Sequence, residues 1–330
     1  MKKLLLASTA LVLSAGVASA QGVSLSGDAR MGLIYDGTDV QMTSRARVTF
    51  TLSGETDTGL AFGASFRADN AGPAVGNNRM TGGEVFISGD FGRLSMGDVA
   101  SAARAAAGDL YGVGLTGLGD LNEMAYLDRA GFGGLYTGQS YATAALYEYS
   151  IDGFSGYIGL GQNNTARAGD LAAIYAVAFP GVLPAGIVFP GEVVRDNMYS
   201  VGASYSFEGL TAAVGYEYSR ARATGIPSFT ASHLVASVEY EMDGISAKAF
   251  AGRAGSDLAD VVASRNQYGL SVQGSFDATT VTAFARRDFA RTRAVGIGAS
   301  YDLGGGASIV GGAVRAAGTT QADFGVSFSF

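Results

Sequence analysis

The chain has 330 residues, with 22 Lys and Arg against 29 Asp and Glu, one His, and neither Cys nor Trp. Only 15% of its residues are charged, against about 25% in ordinary soluble domains, and the acidic balance argues against a nucleic-acid partner, which needs a basic face. The lack of Cys leaves no disulfide or thiol chemistry, and 50 Gly beside 5 Pro with no G-x-y repeat exclude collagen.

Residues 1–20, MKKLLLASTALVLSAGVASA, read as a secretory signal. Lys2 and Lys3 precede an apolar run from Leu4 to Leu13 and a small-residue cleavage site at Ala18-Ser19-Ala20. A retained membrane helix is the alternative, but the run is shorter than the ~20 residues a span needs. Cleavage leaves 21–330 and, by removing the two lysines, takes the formal charge from −7 to −9.

From there on the pattern is period two, the signature of strands with one apolar and one polar face. In the first strand Val23, Leu25, Met31 and Leu33 share one parity and Asp28 and Arg30 the other. The second, 43–54, sets Val48, Phe50 and Leu52 against Arg45, Arg47, Thr49 and Thr51. The third, 59–69, sets Leu60, Phe62 and Phe66 against Ser65 and Arg67. Short fourth and fifth strands oppose Val85 and Ile87 to Glu84, and Leu94 and Met96 to Arg93. Alternation then fails over 99–137, far beyond the usual loop length, and such loops tend to be functional.

Strands resume at 138–150, where the facing is ambiguous, and at 154–162. A second interruption, 163–195, holds the apolar run 171–191, where Pro180, Pro184 and Pro190 break any membrane helix and favour a long loop. Nine further alternating segments follow, among them one near His233, one at 279–288 of doubtful facing, and the last at QADFGVSFSF. There Phe324, Val326, Phe328 and Phe330 share a face. The count is sixteen, and single-chain bacterial barrels have even counts. Even-to-odd joins are tight and rich in Gly and Asp, as at 152–153, 208–209 and 243–244, whereas most odd-to-even joins are longer. Sorting short turns to one end and loops to the other is the polarity of an outer-membrane barrel. The reading is an all-β fold, a 16-stranded antiparallel transmembrane β-barrel, and a ring of that size leaves an aqueous lumen.

No catalytic grouping emerges. His233 is the only His and is read as structural or solvent-facing at a strand start. Residues 112–117 match G-x-G-x-x-G but lack the preceding strand and following helix of a dinucleotide site, so the glycines are read as letting a loop turn tightly. Arg30, Arg45, Arg47, Arg67 and Arg93 fall on the non-lipid parity, where they would form a cationic wall. The loop 99–137 offers Asp109, Asp120, Glu123 and Asp128; folded inward, it would face those acids to the arginines across a pore eyelet. Left outside, it would merely solvate them.

LSGDARMG at 25–32, SGETDTGLAFGASF at 53–66, GDLYGVGLTGLGD at 108–120, LSVQGSFDATTV at 270–281, ASYDLGGGASIVGG at 299–312 and the final aromatic strand carry a resemblance. The chain resembles Gram-negative general diffusion porins, most closely the Rhodobacter-type trimeric porins. The resemblance implies a homotrimer, a long third loop folded into the pore, and a cationic cluster at Arg30, Arg45, Arg47 and Arg67. It implies a last strand, with Phe324, Phe328 and Phe330, read by the outer-membrane assembly machinery. Outer-membrane lipid and lipopolysaccharide are the implied surroundings, and small hydrophilic solutes the implied cargo. In the relative this loop binds calcium. Here Gly112 and Gly117 stand where acids are expected, so Asp109, Asp120 and Glu123 are weak calcium candidates and no cofactor is assigned. A substrate-specific channel on the same fold is the alternative, and an outer-membrane enzyme or adhesin a more distant one.

Overall fold

The computed structural model describes residues 22–71, 78–80, 83–127, 144–161, 165–166, 193–195, 198–223, 226–255 and 264–330. The expected signal segment, Asp128 and most of 163–195 lie outside the described residues. The first five strands are β1 (Gly22–Tyr35), β2 (Val40–Glu55), β3 (Ala61–Ala71), β4 (Asn78–Met80 with Glu84–Gly89) and β5 (Gly92–Gly97). The middle of the chain gives β6 (Ala144–Ile151), β7 (Phe154–Gly161 with Thr165–Ala166), β8 (Val193–Arg195 with Met198–Phe207), β9 (Leu210–Ala223) and β10 (Ile226–Met242). The last six are β11 (Ile245–Ala254), β12 (Asn266–Phe276), β13 (Thr279–Arg287), β14 (Arg293–Gly304), β15 (Ala307–Ala316) and β16 (Thr319–Ser329).

Each strand pairs antiparallel with the next, and β16 returns to β1 in the register Asp28↔Ser329 to Tyr35↔Ala322. The Phe330 N–H donates to the Gly27 carbonyl at 2.9 Å, and the Phe330 carbonyl accepts the Gly27 N–H at 3.2 Å. The sixteen strands therefore form a closed antiparallel ring with no free edge. Asp152, Glu208, Asp243 and Asp277 take φ values of 47–52° at hairpins on one end, the left-handed conformation that tight two-residue turns demand. One hairpin on the other end, Ala317-Gly318 between β15 and β16, is equally tight.

Large apolar side chains cover the outside: Val23, Leu25, Ile158, Ile297 and Phe324 are all at least 60% exposed. In water such a surface would be untenable; in a bilayer it meets lipid. Inside, the apolar core is formed by residues 101–127 pressed against the inner wall of β9–β15. Val235, Phe250, Phe284, Ala294 and Val314 point inward and pack on Leu110, Val113, Leu118, Met124 and Tyr126. This explains the ambiguous segments. In β13, Val281 faces out while Phe284 is buried inside, and in β6 Leu146 is buried inside while Tyr149 and Ile151 face out. Alternation blurs where the inner face is apolar too.

The segment opens with α1 (Ala102–Ala107), capped by the Ser101 hydroxyl, which accepts from the Arg104 N–H at 3.1 Å. Six residues cannot hold a helix alone; α1 is held by the wall. Ala102, Ala103 and Ala107 are fully buried against β7, β8, β9 and β10. The wall meets them with glycine: a Cβ on Gly202 would collide with the Ala102 carbonyl oxygen, and one on Gly215 with Ala103. Gly202→Val is therefore expected to unseat α1 at about 1–3 kcal/mol, the usual cost of overpacking. Limited proteolysis of the refolded barrel checks this: cleavage within 101–127 should appear in the variant and not in the parent.

Candidate functional site

Hairpin register assembles the basic wall. Arg30 stands opposite Arg45, Asp28 opposite Arg47, and Arg47 opposite Asp69, with Arg67 two residues earlier on β3. The counter-charges lie on the same wall. Arg45 Nη2 donates to Asp28 Oδ1 at 2.8 Å, and Arg47 Nε lies 3.4 Å from Asp69 Oδ2. Arg67 grips Asp69 with two hydrogen bonds of 2.6 and 3.0 Å. Arg45, Arg47 and Arg67 share these two aspartates, and with Arg30 beside them the wall carries four cations against two anions, a net positive charge.

Arg93 stands apart. It pairs through Ser88 and Ala61 to the level of Glu55 on β2, eight residues from Arg47. At about 3.3 Å per residue that is about 26 Å along the strand. Its guanidinium donates to Glu84 at 2.9 Å and Ser95 at 3.0 Å and covers the Phe86 ring. A shared parity put it with the wall; the register moves it to the short-turn end.

Residues 101–127 run along the inner wall from β7 to β16, away from β2 and β3. The Ala102 N–H donates to Ser200 at 2.9 Å, the Tyr111 N–H to Ser271 at 3.1 Å, and the Arg286 side chain donates to the Leu121 carbonyl. At the far tip, the Leu115 and Thr116 N–H groups donate to the Asp323 carboxylate at 2.9 and 2.6 Å. Arg30 donates to the Leu115 carbonyl at 3.2 Å. The G-x-G-x-x-G stretch thus turns its amides onto an anion, and that anion is the protein's own Asp323. Tyr111 donates its hydroxyl to Glu239 at 2.7 Å. Burial first, and the Glu239 carboxylate second, hold the Tyr111 hydroxyl well above its ordinary pKa.

The acids of the segment serve its own fold. Arg104 Nη2 lies 2.6 Å from Asp109 and 3.2 Å from Glu123, and Asp109 also accepts the Met124 N–H at 2.8 Å. Arg104 thereby ties the outgoing arm to the returning one. Asp120 is exposed at the turn between them, its N–H donating to the Gly117 carbonyl at 2.9 Å. These residues do not fit a calcium ion as they stand, because a guanidinium fills the position between Asp109 and Glu123. Among the described residues no three His, Cys, Asp or Glu side chains gather as a metal site.

A second cluster holds both roots of the segment. Glu217, His233 and Gln267 are fully buried on β9, β10 and β12. Glu217 accepts the Ser101 hydroxyl at 2.5 Å and the Leu127 N–H at 2.9 Å, and meets His233 Nδ1 at 3.2 Å. Gln267 exchanges two hydrogen bonds with the backbone of Ala125, at 2.9 and 2.8 Å. That exchange fixes its amide orientation, so its Nε2 also donates to His233 Nε2 at 3.0 Å. The network leaves the imidazole proton on Nδ1, toward Glu217. His233 is mid-strand rather than at a strand start, and buried rather than facing solvent.

Arg104, Asp323, Glu217 and Gln267 were not among the sequence candidates. Asp28 and Asp69 could have been found by counting each hairpin outward from its turn. Asp323 stands out as a lone acid in an aromatic strand. Nothing local marks Arg104.

Sixteen lipid-facing strands around a charged, partly exposed lumen, with a segment folded along its inner wall, define an outer-membrane channel rather than a packed barrel. A family model described as Gram-negative porin matches residues 7–321, and the chain belongs to that family. It is 37% identical to the porin of Rhodobacter capsulatus over 341 aligned positions, which cover 93% of this chain and all of that one. A Rhodobacter porin structure refined at 1.8 Å superimposes with a TM-score of 0.68 at 32% identity, over 94% of this chain and all of the other. An engineered variant of Rh. blastica porin gives a TM-score of 0.60 at 24% identity over the same shares, a likeness of fold alone. The chain is a diffusion channel of the Gram-negative outer membrane.

Proposed function

We propose that solutes pass between the basic wall of β1–β3 and the segment 101–127, and that this passage is the selective constriction for small hydrophilic solutes and ions. The supporting observation is the asymmetry of the lumen. The segment is bonded to β8, β9, β12, β13 and β16, which among the described residues leaves Arg45, Arg47 and Arg67 on the side of the lumen away from it. On the segment, Asp109, Asp120 and Glu123 outweigh Arg104, so a transverse field crosses the passage even though Asp109 and Glu123 spend part of their charge on Arg104. Arg93 belongs to the short-turn mouth, where it acts on entry and exit. The assembly is read as a homotrimer on the strength of the family. Phe324, Phe328 and Phe330 on the closing strand are the residues the assembly machinery would read.

Single-channel recording in a planar bilayer tests this function. Large, weakly selective steps that close in threes are expected. Folded protein that gives no steps would overturn it.

A further inference from the structure

One buried histidine lies between the barrel wall and the inner segment, and its neighbours leave room for a single proton on its ring. His233 Nδ1 faces the Glu217 carboxylate at 3.2 Å, and its Nε2 accepts from Gln267 Nε2 at 3.0 Å. Gln267 does not make that bond independently. Its Oε1 accepts the Ala125 N–H at 2.9 Å, and its Nε2 donates a second hydrogen to the Ala125 carbonyl at 2.8 Å. One amide group thus spans the imidazole and the returning arm of the segment, with both hydrogens of its Nε2 committed.

The rest of the pocket closes around this contact. Glu217, His233 and Gln267 are fully buried. The imidazole meets Tyr126 of the segment edge-on at 5.9 Å and Phe289, just beyond β13, at 5.4 Å. From β11 it meets backbone. A Cβ on Gly252 would stand 2.5 Å from His233 Nε2 and 2.7 Å from Gln267 Nε2, so glycine there lets the two nitrogens close on each other. Among the described residues, the titratable side chains that face the ring are Glu217 and Tyr126. The Arg104 guanidinium lies one layer further out, 5.6 Å from the Tyr126 ring centroid, and the Arg286–Asp288 pair sits beside Phe289.

Histidine is the side chain whose charge ordinarily switches between about pH 5 and 8. An imidazolium at this position would keep its charge-assisted bond to Glu217. Its new Nε2–H, however, would point at the Nε2–H of Gln267. Turning the Gln267 amide over relieves the conflict, because Oε1 then accepts from the imidazolium. The same turn breaks both bonds to Ala125, setting N–H against N–H and carbonyl against carbonyl. The arrangement that holds Ala125 therefore binds one proton fewer than the arrangement that releases it, and falling pH favours release.

We propose that His233 is a proton-operated latch on the inner segment. Protonation at Nε2 turns Gln267, frees the returning arm at Ala125, and makes the passage wider and noisier as the medium acidifies. Glu217 keeps its hold on Ser101 and Leu127, so the segment slackens without leaving the wall. The proposal rests on the reading of 101–127 as one side of the constriction.

Hydrogen exchange with mass spectrometry on the refolded barrel reads the latch, and single-channel current reads its effect. Between about pH 7.5 and about pH 5, exchange of the 123–127 amides, corrected for intrinsic chemistry, should quicken about fivefold. The amides of Leu115 and Thr116, held by Asp323, should stay protected. Conductance and its noise should rise over the same range. His233→Gln should remove these responses, with heat-modifiable mobility showing that the barrel has folded. Gln267→Glu, whose carboxylate cannot donate to the Ala125 carbonyl, should exchange fast already at about pH 7.5. Unchanged protection of 123–127 in the parent would overturn the proposal, and so would an acid response that survives in folded His233→Gln. Protection lost at an unaltered conductance would overturn the link to the passage, and with it the reading of 101–127 as the constriction.

Discussion

Replacing Arg45 and Arg47 together with alanine is expected to turn the channel toward cations, raising the cation-to-anion permeability ratio about fivefold to tenfold at 0.1 M salt. A unit charge about 7 Å from a permeating ion in a water-filled lumen contributes about 0.6 kcal/mol. Two such charges contribute about 1.2 kcal/mol, which is close to one order of magnitude. Their loss also frees Asp28, which both arginines approach, and Asp69, which Arg47 shares with Arg67. The reversal potential in a salt gradient measures the ratio. At 1 M salt, where the Debye length falls to about 3 Å, the shift should shrink severalfold. The same exchange at Arg93 should leave selectivity nearly unaltered, since that residue lies about 26 Å along the wall from Arg47 and is matched by Glu84. An unchanged reversal potential in the double variant would remove both arginines from the solute path.

The second large effect is expected at Glu217→Ala. That carboxylate is fully buried and accepts from Ser101 at one root of the inner segment and from Leu127 at the other. It also faces the proton on His233 Nδ1. Its removal orphans three buried donors at about 1–3 kcal/mol each, so about 3–9 kcal/mol of anchoring is lost. The ladder hydrogen bonds of the barrel are untouched. The variant should still fold, seen as retained heat-modifiable mobility on gels, while the segment comes loose at both roots. Conductance should rise and become noisy. Glu217→Gln should fall between, because an amide offers one acceptor where the carboxylate offers two. A quiet channel of parental conductance from Glu217→Ala would mean that the glycine-lined seat of α1 holds the segment without the network.

Much of the barrel was legible because its two faces obey different solvents. Val48, Phe50 and Leu52 against Arg45, Arg47 and Thr49 state a strand and its orientation in one line of sequence. The sorting of Asp-Gly turns to one end then fixes the polarity. Legibility fell where that contrast did. Inward Phe284 and Val235 look like lipid-facing residues until the covering segment is known, because what they pack against lies more than a hundred positions away. The site divided in the same way. Parity alone grouped the inward arginines, since it reports a face, but it is blind to height, and height separates Arg93 from Arg45. The partners of the inner segment were out of reach altogether. Glu217, Gln267 and Asp323 acquire their roles only when strands far apart in the chain become neighbours.

The position of Leu115 has a consequence for how the cylinder stays shut. Its N–H is held by Asp323 on the last strand and its carbonyl by Arg30 on the first. Those strands meet at the seam where the two ends of the chain come together, and Asp323 stands opposite Ile34 there. One residue from the middle of the sequence therefore clasps the collar from within. The same piece that we propose narrows the passage also fastens the wall, so loosening it would widen the bore and weaken the joint in a single event.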